Sequence, residues 1–88
     1  MHEVIPDVDL QLYPNPATDA FSVDVRDTRY ASETLRLKLF NVHGALVLDR
    51  SLRGRTIVPN KQESGRYVYV IEDARGMVIK RGELVLAR

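Results

Sequence analysis

The sequence predicts an all-β chain folded as an antiparallel β-sandwich of about seven strands. Three observations carry this. Apolar residues recur at every second position, the period of a strand with one buried face. Turn residues interrupt the pattern at intervals of about 8–12 residues, as in sandwiches. No stretch holds a helical period.

The first strand, 9–13, runs into Pro14-Asn15-Pro16. These prolines remove two backbone donors and hold Tyr13 and Asn15 extended, so pairing must stop there. In the second, 20–26, Phe21, Val23 and Val25 alternate with Ser22, Asp24 and Arg26. Thr28 to Lys38 is the best helix candidate, with Ser32-Glu33-Thr34 imitating a cap. Its apolar residues Leu35, Leu37 and Leu39 fall on period two, which makes a loop and then a strand over 35–42. Asn41-Val42-His43-Gly44 is a tight connection whose Gly44 can take positive φ. The fourth strand, 45–51, contains Leu46-Val47-Leu48, apolar on both faces, and is expected to lie centrally. After Arg53-Gly54-Arg55 comes a short strand, 55–58. Ser64-Gly65 launches 66–73, also apolar on both faces and expected to be central. Its Tyr67, Tyr69 and Ile71 fill the core. Asp73-Ala74-Arg75-Gly76 then turns into 77–87, where Gly82 marks a bulge or a division into two strands.

The chain has 88 residues, no cysteine and no tryptophan. That is one domain, with room for one modest core. Leu, Ile, Val and Phe number 27 of 88, well above the roughly 20% at which disorder is the better expectation. Without cysteine there is no thiol nucleophile, redox pair or Cys-based zinc site. Thirteen Lys and Arg oppose twelve Asp and Glu, for a net charge of +1. No nucleic-acid partner is expected from that balance. The longest apolar run, Tyr67 to Ile71, is far short of the roughly 18 residues of a membrane helix. The opening Met1-His2-Glu3-Val4-Ile5-Pro6 has no basic region followed by an apolar stretch, so it is not read as a signal peptide. The chain is therefore either cytoplasmic or a piece of a longer exported one.

Few residues suggest chemistry. His2 lies in the terminus and His43 in a turn, and a metal site needs several converging ligands. Asp7, Asp9 and Asp19 are an acidic group without calcium-loop spacing, read as solvated loop. Arg50, Arg53 and Arg55 form a basic cluster around Gly54, either a soluble hairpin tip or a place to meet phosphates. Tyr67 and Tyr69 share one strand face, as core residues or as a stacking platform for sugars. No catalytic residue, cofactor or metal site is expected, and the chain is not expected to be an enzyme.

Four features occur in order: Leu12-Tyr13-Pro14-Asn15-Pro16-Ala17, the connection Asn41-Val42-His43-Gly44, the strand opening Ser64-Gly65-Arg66-Tyr67, and the ending Lys80 to Arg88. Together they resemble the C-terminal sorting domain of the type IX secretion system of Bacteroidetes. The resemblance spans Leu10 to Arg88. In that family a lysine commonly stands near the final aliphatic pair. Here Gly82-Glu83 precede Leu84-Val85, and Lys80-Arg81 stand upstream.

The resemblance implies an Ig-like sandwich with residues 1–8 as linker or added remnant and 9–88 as the sorting domain. It implies a parent protein that reaches the periplasm on its own signal and is carried across the outer membrane to the cell surface. The implied partners are the outer-membrane translocon and a sortase-like peptidase, which cuts in or before Met1–Val8. Tyr13, Pro14, Asn15, Pro16, Asn41, Gly44, Ser64, Gly65 and Tyr67 are then motif residues that serve folding. Lys80, Arg81, Glu83, Leu84, Val85 and Leu86 are the candidates for translocon recognition, by docking or by strand addition to a partner's sheet. Two other readings stay open. One is a retained docking domain of the same machinery. The other is a fibronectin-like binding module, which requires Tyr13, Tyr30 and Phe40 exposed on one face.

Overall fold

The computed structural model describes residues 8–87. The described residues form seven strands and no helix: β1 (Leu10–Tyr13), β2 (Ala20–Val25), β3 (Leu35–Phe40), β4 (Leu46–Leu52), β5 (Arg55–Pro59), β6 (Gly65–Glu72) and β7 (Val78–Leu86). All ladders between them are antiparallel. They make two sheets, one ordered β1-β2-β5 and the other β4-β3-β6-β7.

Period two places the core. In β2, Phe21, Val23 and Val25 point inward and are buried. In β3, Leu35, Leu37 and Leu39 do the same from the facing sheet. Leu52, Val58, Tyr67, Ile71, Leu84 and Leu86 complete the layer between the sheets. Each aliphatic side chain so buried contributes about 1.5–3 kcal/mol relative to exposure. Ala17, between β1 and β2, has no exposed surface, and a larger residue there would have to displace core.

Two expectations need correction. β4 is an edge strand and not a central one; β3 and β6 are the interior strands of the larger sheet. The apolar run of β4 arises from a bulge. Pairing steps from Leu39↔Leu48 to Phe40↔Leu46, which leaves Val47 as the extra residue and turns Leu46 to the outer face. The bulge of β7 is not at Gly82 either. The register slips between Ile71↔Lys80 and Glu72↔Val78, so Ile79 is the extra residue. Val8, assigned above to the linker, is itself buried against the core.

Gly82 has a different purpose. It pairs with Tyr69 across the β6–β7 ladder, and the Tyr69 ring lies over it. A Cβ at this position would stand 2.6 Å from the Tyr69 hydroxyl oxygen and 2.7 Å from Cε2. Tyr67 and Ile71 are buried as expected, whereas Tyr69 is half-buried and packs against the core from its edge. The Tyr67 hydroxyl donates to the Glu63 carbonyl at 2.6 Å, which satisfies the one polar atom this ring carries inward.

Asp27 ties the loop after β2 to the start of β1. Its Oδ2 accepts from the Asp9 amide at 3.1 Å, and its Oδ1 accepts from the Arg29 amide at 3.0 Å. The Arg29 guanidinium closes on both oxygens, at 2.9 and 2.6 Å. The Asp9 carbonyl accepts in return from the Arg26 and Asp27 amides, both at 2.9 Å. The Arg29 side-chain bond first, and the Asp9 amide next, hold the Asp27 carboxyl far below its ordinary 3.8.

Two predictions follow from these contacts. Gly82→Ala should cost about 1–3 kcal/mol by forcing the Tyr69 ring aside. Combined with Tyr69→Ala it should cost less than the two single changes added, because the obstacle is gone. Urea melts of the four variants read this coupling, and strict additivity would place the ring elsewhere. The second concerns acid. The folded pKa of Asp27 lies below the unfolded one, so its contribution is complete above about pH 4 and is lost as pH falls below that. Melting temperature should therefore drop between about pH 4 and pH 2, and Asp27→Asn should both lower it at neutral pH and flatten that drop.

Candidate functional site

The motif residues gather at one end of the sandwich. The Tyr13–Pro14 and Asn15–Pro16 peptide bonds are cis. Past β1 the chain leaves its own sheet and crosses to β7. There the Asn15 side chain takes the place of a pairing strand: its Oδ1 accepts from the Val85 amide at 3.0 Å, and its Nδ2 donates to the Glu83 carbonyl at 3.1 Å. Two residues on, Ala17 makes a parallel bridge to Leu86. Its amide donates to the Val85 carbonyl at 2.9 Å, and its carbonyl accepts from the Ala87 amide at 2.7 Å. The outer edge of β7 is thus covered from Glu83 to Ala87. Leu84 and Leu86, alternating with these residues, are fully buried.

Asn41 organises the β3–β4 turn. Its Oδ1 accepts from the His43 and Ala45 amides, each at 3.0 Å. Gly44, at φ 81°, takes the left-handed conformation that closes such a turn. The β6–β7 turn repeats this design with an aspartate. Asp73 Oδ1 accepts from the Arg75 and Met77 amides at 2.9 Å each, and Gly76 sits at φ 86°. These amides, that of Met77 first, hold the Asp73 carboxyl below its ordinary 3.8. The shared spacing, Asn or Asp followed three residues later by Gly, marks the kinship of the two turns.

Asn41, Ser64, Gly65 and Tyr67 line one open depression of about 380 Å³ between that turn and the loop before β6. Gly65 pairs with Leu86, and Arg66 with Val85. The end that carries Asn41 and Ser64-Gly65 is therefore the end where Asn15 and Ala17 meet β7. His43 is exposed at its rim. No group of three or more metal-ligating side chains occurs among the described residues, and they contain no helix that is long and apolar enough to cross a membrane.

The six residues proposed for recognition divide by the strand's alternation. Arg81, Glu83 and Val85 turn to the outer face of the larger sheet, where Arg66 pairs with Glu83 at 3.8 Å. Beside them lie the outward Val68, Phe40 and Leu46 of the neighbouring strands. Leu84 and Leu86 point into the core. Lys80 donates from Nζ to the Val8 carbonyl at 3.3 Å, linking β7 to the segment before β1. The aromatic row does not form. Tyr13 belongs to the smaller sheet and Phe40 to the larger, and Tyr30 packs on the core with the Arg29 guanidinium 5.6 Å from its ring centroid.

Residues 11–82 match the family described as the secretion system C-terminal sorting domain. The chain belongs to that family. It is a sorting domain of the type IX secretion route, a tail of proteins bound for the cell surface. No curated protein and no solved structure matches it. The match ends at Gly82, inside β7 and before the residues that Asn15 and Ala17 cover.

Asn15→Ala removes both side-chain bonds to β7. The sorting domain should lose about 1–2 kcal/mol, and the Val85 amide should exchange hydrogen far faster than those of the β3–β6 ladder. Unchanged protection at Val85 would mean that Ala17 alone holds the strand.

Proposed function

We propose that this sorting domain is the address of a longer periplasmic cargo protein, read by the outer-membrane translocon and carried to the cell surface. Its role is that of a substrate and docking module, with no catalysis of its own. The observation that carries this reading is the family match over residues 11–82. A sortase-like peptidase then separates domain from cargo upstream of Val8. Residues 1–7 lie outside the described residues, but Val8 is packed into the core, and a peptidase needs an extended, unpacked strand of substrate.

The alternation of β7 sharpens the recognition proposal. Leu84 and Leu86 act through the fold, since a partner reaches them only by opening the sandwich. Arg81, Glu83 and Val85 stand on the surface, and they are the side chains a folded domain offers to the translocon. Lys80, bonded to the Val8 carbonyl, holds that strand in place. The motif residues Tyr13, Pro14, Asn15, Pro16, Asn41, Gly44, Ser64, Gly65 and Tyr67 shape the end of the sandwich on which β7 is displayed.

The test joins the 88-residue chain to a periplasmic fluorescent protein in a bacterium that possesses the machinery. Fluorescence should appear at the surface or in the medium, and folded fusion retained in the periplasm would sink the proposal. Arg81→Glu combined with Glu83→Lys should reduce export about tenfold, the equivalent of about 1.4 kcal/mol of binding. The same pair should leave melting temperature nearly unchanged, because exposed ion pairs contribute little. Full export of this variant would move recognition off the face of β7.

A further inference from the structure

The two long sides of the sandwich are built differently. On the β1–β7 side, Asn15, Ala17 and Lys80 all cross between the sheets. On the other side the chain passes from β4 to β5 through Arg53 and Gly54, and no ladder joins the two arms. Further down, the loop after β5 returns toward β4, where Gln62 Nε2 donates to the Val47 carbonyl at 3.3 Å. Between these two ties the arms enclose a cleft of about 200 Å³. Phe21 and Val58 from one sheet and Leu39 and Leu48 from the other form its apolar floor, and Arg50 and Lys61 stand in its lining.

The lining of this cleft holds two cations, Arg50 and Lys61, and no carboxylate. From Arg50 to Gln62 there are four cations, Arg50, Arg53, Arg55 and Lys61, and no carboxylate. None of the four has an ion pair among the described residues. The nearest acid on β4, Asp49, is taken by Arg36 at 2.5 Å. The volume is below the roughly 300–1,000 Å³ of sites for small molecules and cofactors. It is the right size for one side chain, since apolar cavities of about 150 Å³ hold a benzene-sized group. Both arms are sheet edges, and edges offer main-chain groups to an extended peptide.

We propose that the β4–β5 cleft receives one aliphatic side chain of an extended acidic segment on a partner protein, with Arg50 and Lys61 meeting the carboxylates that flank it. Leu86 of β7 reaches the lining of this cleft from within the core, and the inference does not rest on the export reading. A peptide fits better than a lipid, because the floor accepts one side chain and not an acyl chain.

The probe is the blocked peptide Glu-Glu-Leu-Glu-Glu, titrated into the isotopically labelled 88-residue chain and followed by amide chemical shifts. Saturable shifts should be confined to Leu48–Arg50 and Val58–Gln62. Replacing the central Leu of the probe by Ser, or changing Arg50→Glu and Lys61→Glu in the protein, should weaken binding about tenfold or more. A Lys-Lys-Leu-Lys-Lys peptide should give no shift at these amides. Shifts elsewhere, no saturable shift, or equal response to the basic peptide would overturn the proposal. Dodecanoate or phosphatidylglycerol vesicles perturbing the same amides at lower concentration than the peptide would overturn it in favour of a lipid. Retained shift dispersion in the double variant shows that it is folded.

Discussion

The attachment of β7 by Asn15 and Ala17 is the constraint on which the other packing depends. β7 pairs with β6 on one side only, and its inward residues Leu84 and Leu86 are fully buried. An edge strand held by one ladder frays most readily at its end. Here the end is held from both sides: Gly65↔Leu86 on the sheet side, the Asn15 amide and the Ala17 backbone on the other. The segment that makes this clasp comes from the smaller sheet. One short stretch therefore caps an edge, joins the sheets and seals the end of the core, where Ala17 has no exposed surface.

The two polar-residue turns work on the same principle at smaller scale. Asn41 and Asp73 each accept two amides that would otherwise be left unpaired as the chain reverses, and a glycine with positive φ finishes each loop. No buried side-chain nitrogen or oxygen among the described residues lacks a partner. In so small a domain that matters, because one unsatisfied buried group costs about 1–3 kcal/mol against a total stability of about 5–10 kcal/mol. Among the family motif residues, Asn15, Asn41 and Tyr67 thus hold the fold together through the hydrogen bonds they make.

Period two made the strand set legible. The alternation of Phe21, Val23 and Val25, and of Leu35, Leu37 and Leu39, fixes both which face is buried and where each strand lies. The turn residues mark their limits, and the four-part pattern points to the family. Strand order was harder to read. Leu46-Val47-Leu48 has the apolar run of an interior strand, yet a bulge at Val47 produces that run on an edge. A bulge is a difference in pairing between two strands, and it leaves no mark in one strand's sequence. Gly82 shows the same limit. A glycine inside a strand signals either a bulge or a close approach, and only the neighbour, Tyr69, decides between them. The candidate recognition set had the same weakness: alternation alone separates Leu84 and Leu86 from Arg81, Glu83 and Val85, but the covering of the β7 edge by Asn15 is a contact between residues 68 and 70 positions apart.

The asymmetry between the two long sides follows from chain order. β1 and β7 are linked through a segment long enough to run along an edge and bond to it. β4 and β5 are joined through Arg53 and Gly54, a connection so short that it must cross from one sheet to the other at once. Arms that diverge from such a point belong to different sheets and have no ladder to share. The β4–β5 side therefore stays open wherever a loop does not return to it, and the single return, Gln62 to Val47, closes only its lower end. Charge settles the rest. Four cations without an ion pair among the described residues, beside an exposed edge, disfavour pairing with a second copy of the same strand, since like charges brought together across a new ladder repel. The same charges leave the edge available to a segment of opposite sign, so protection against self-association and selectivity for an acidic partner arise from one arrangement.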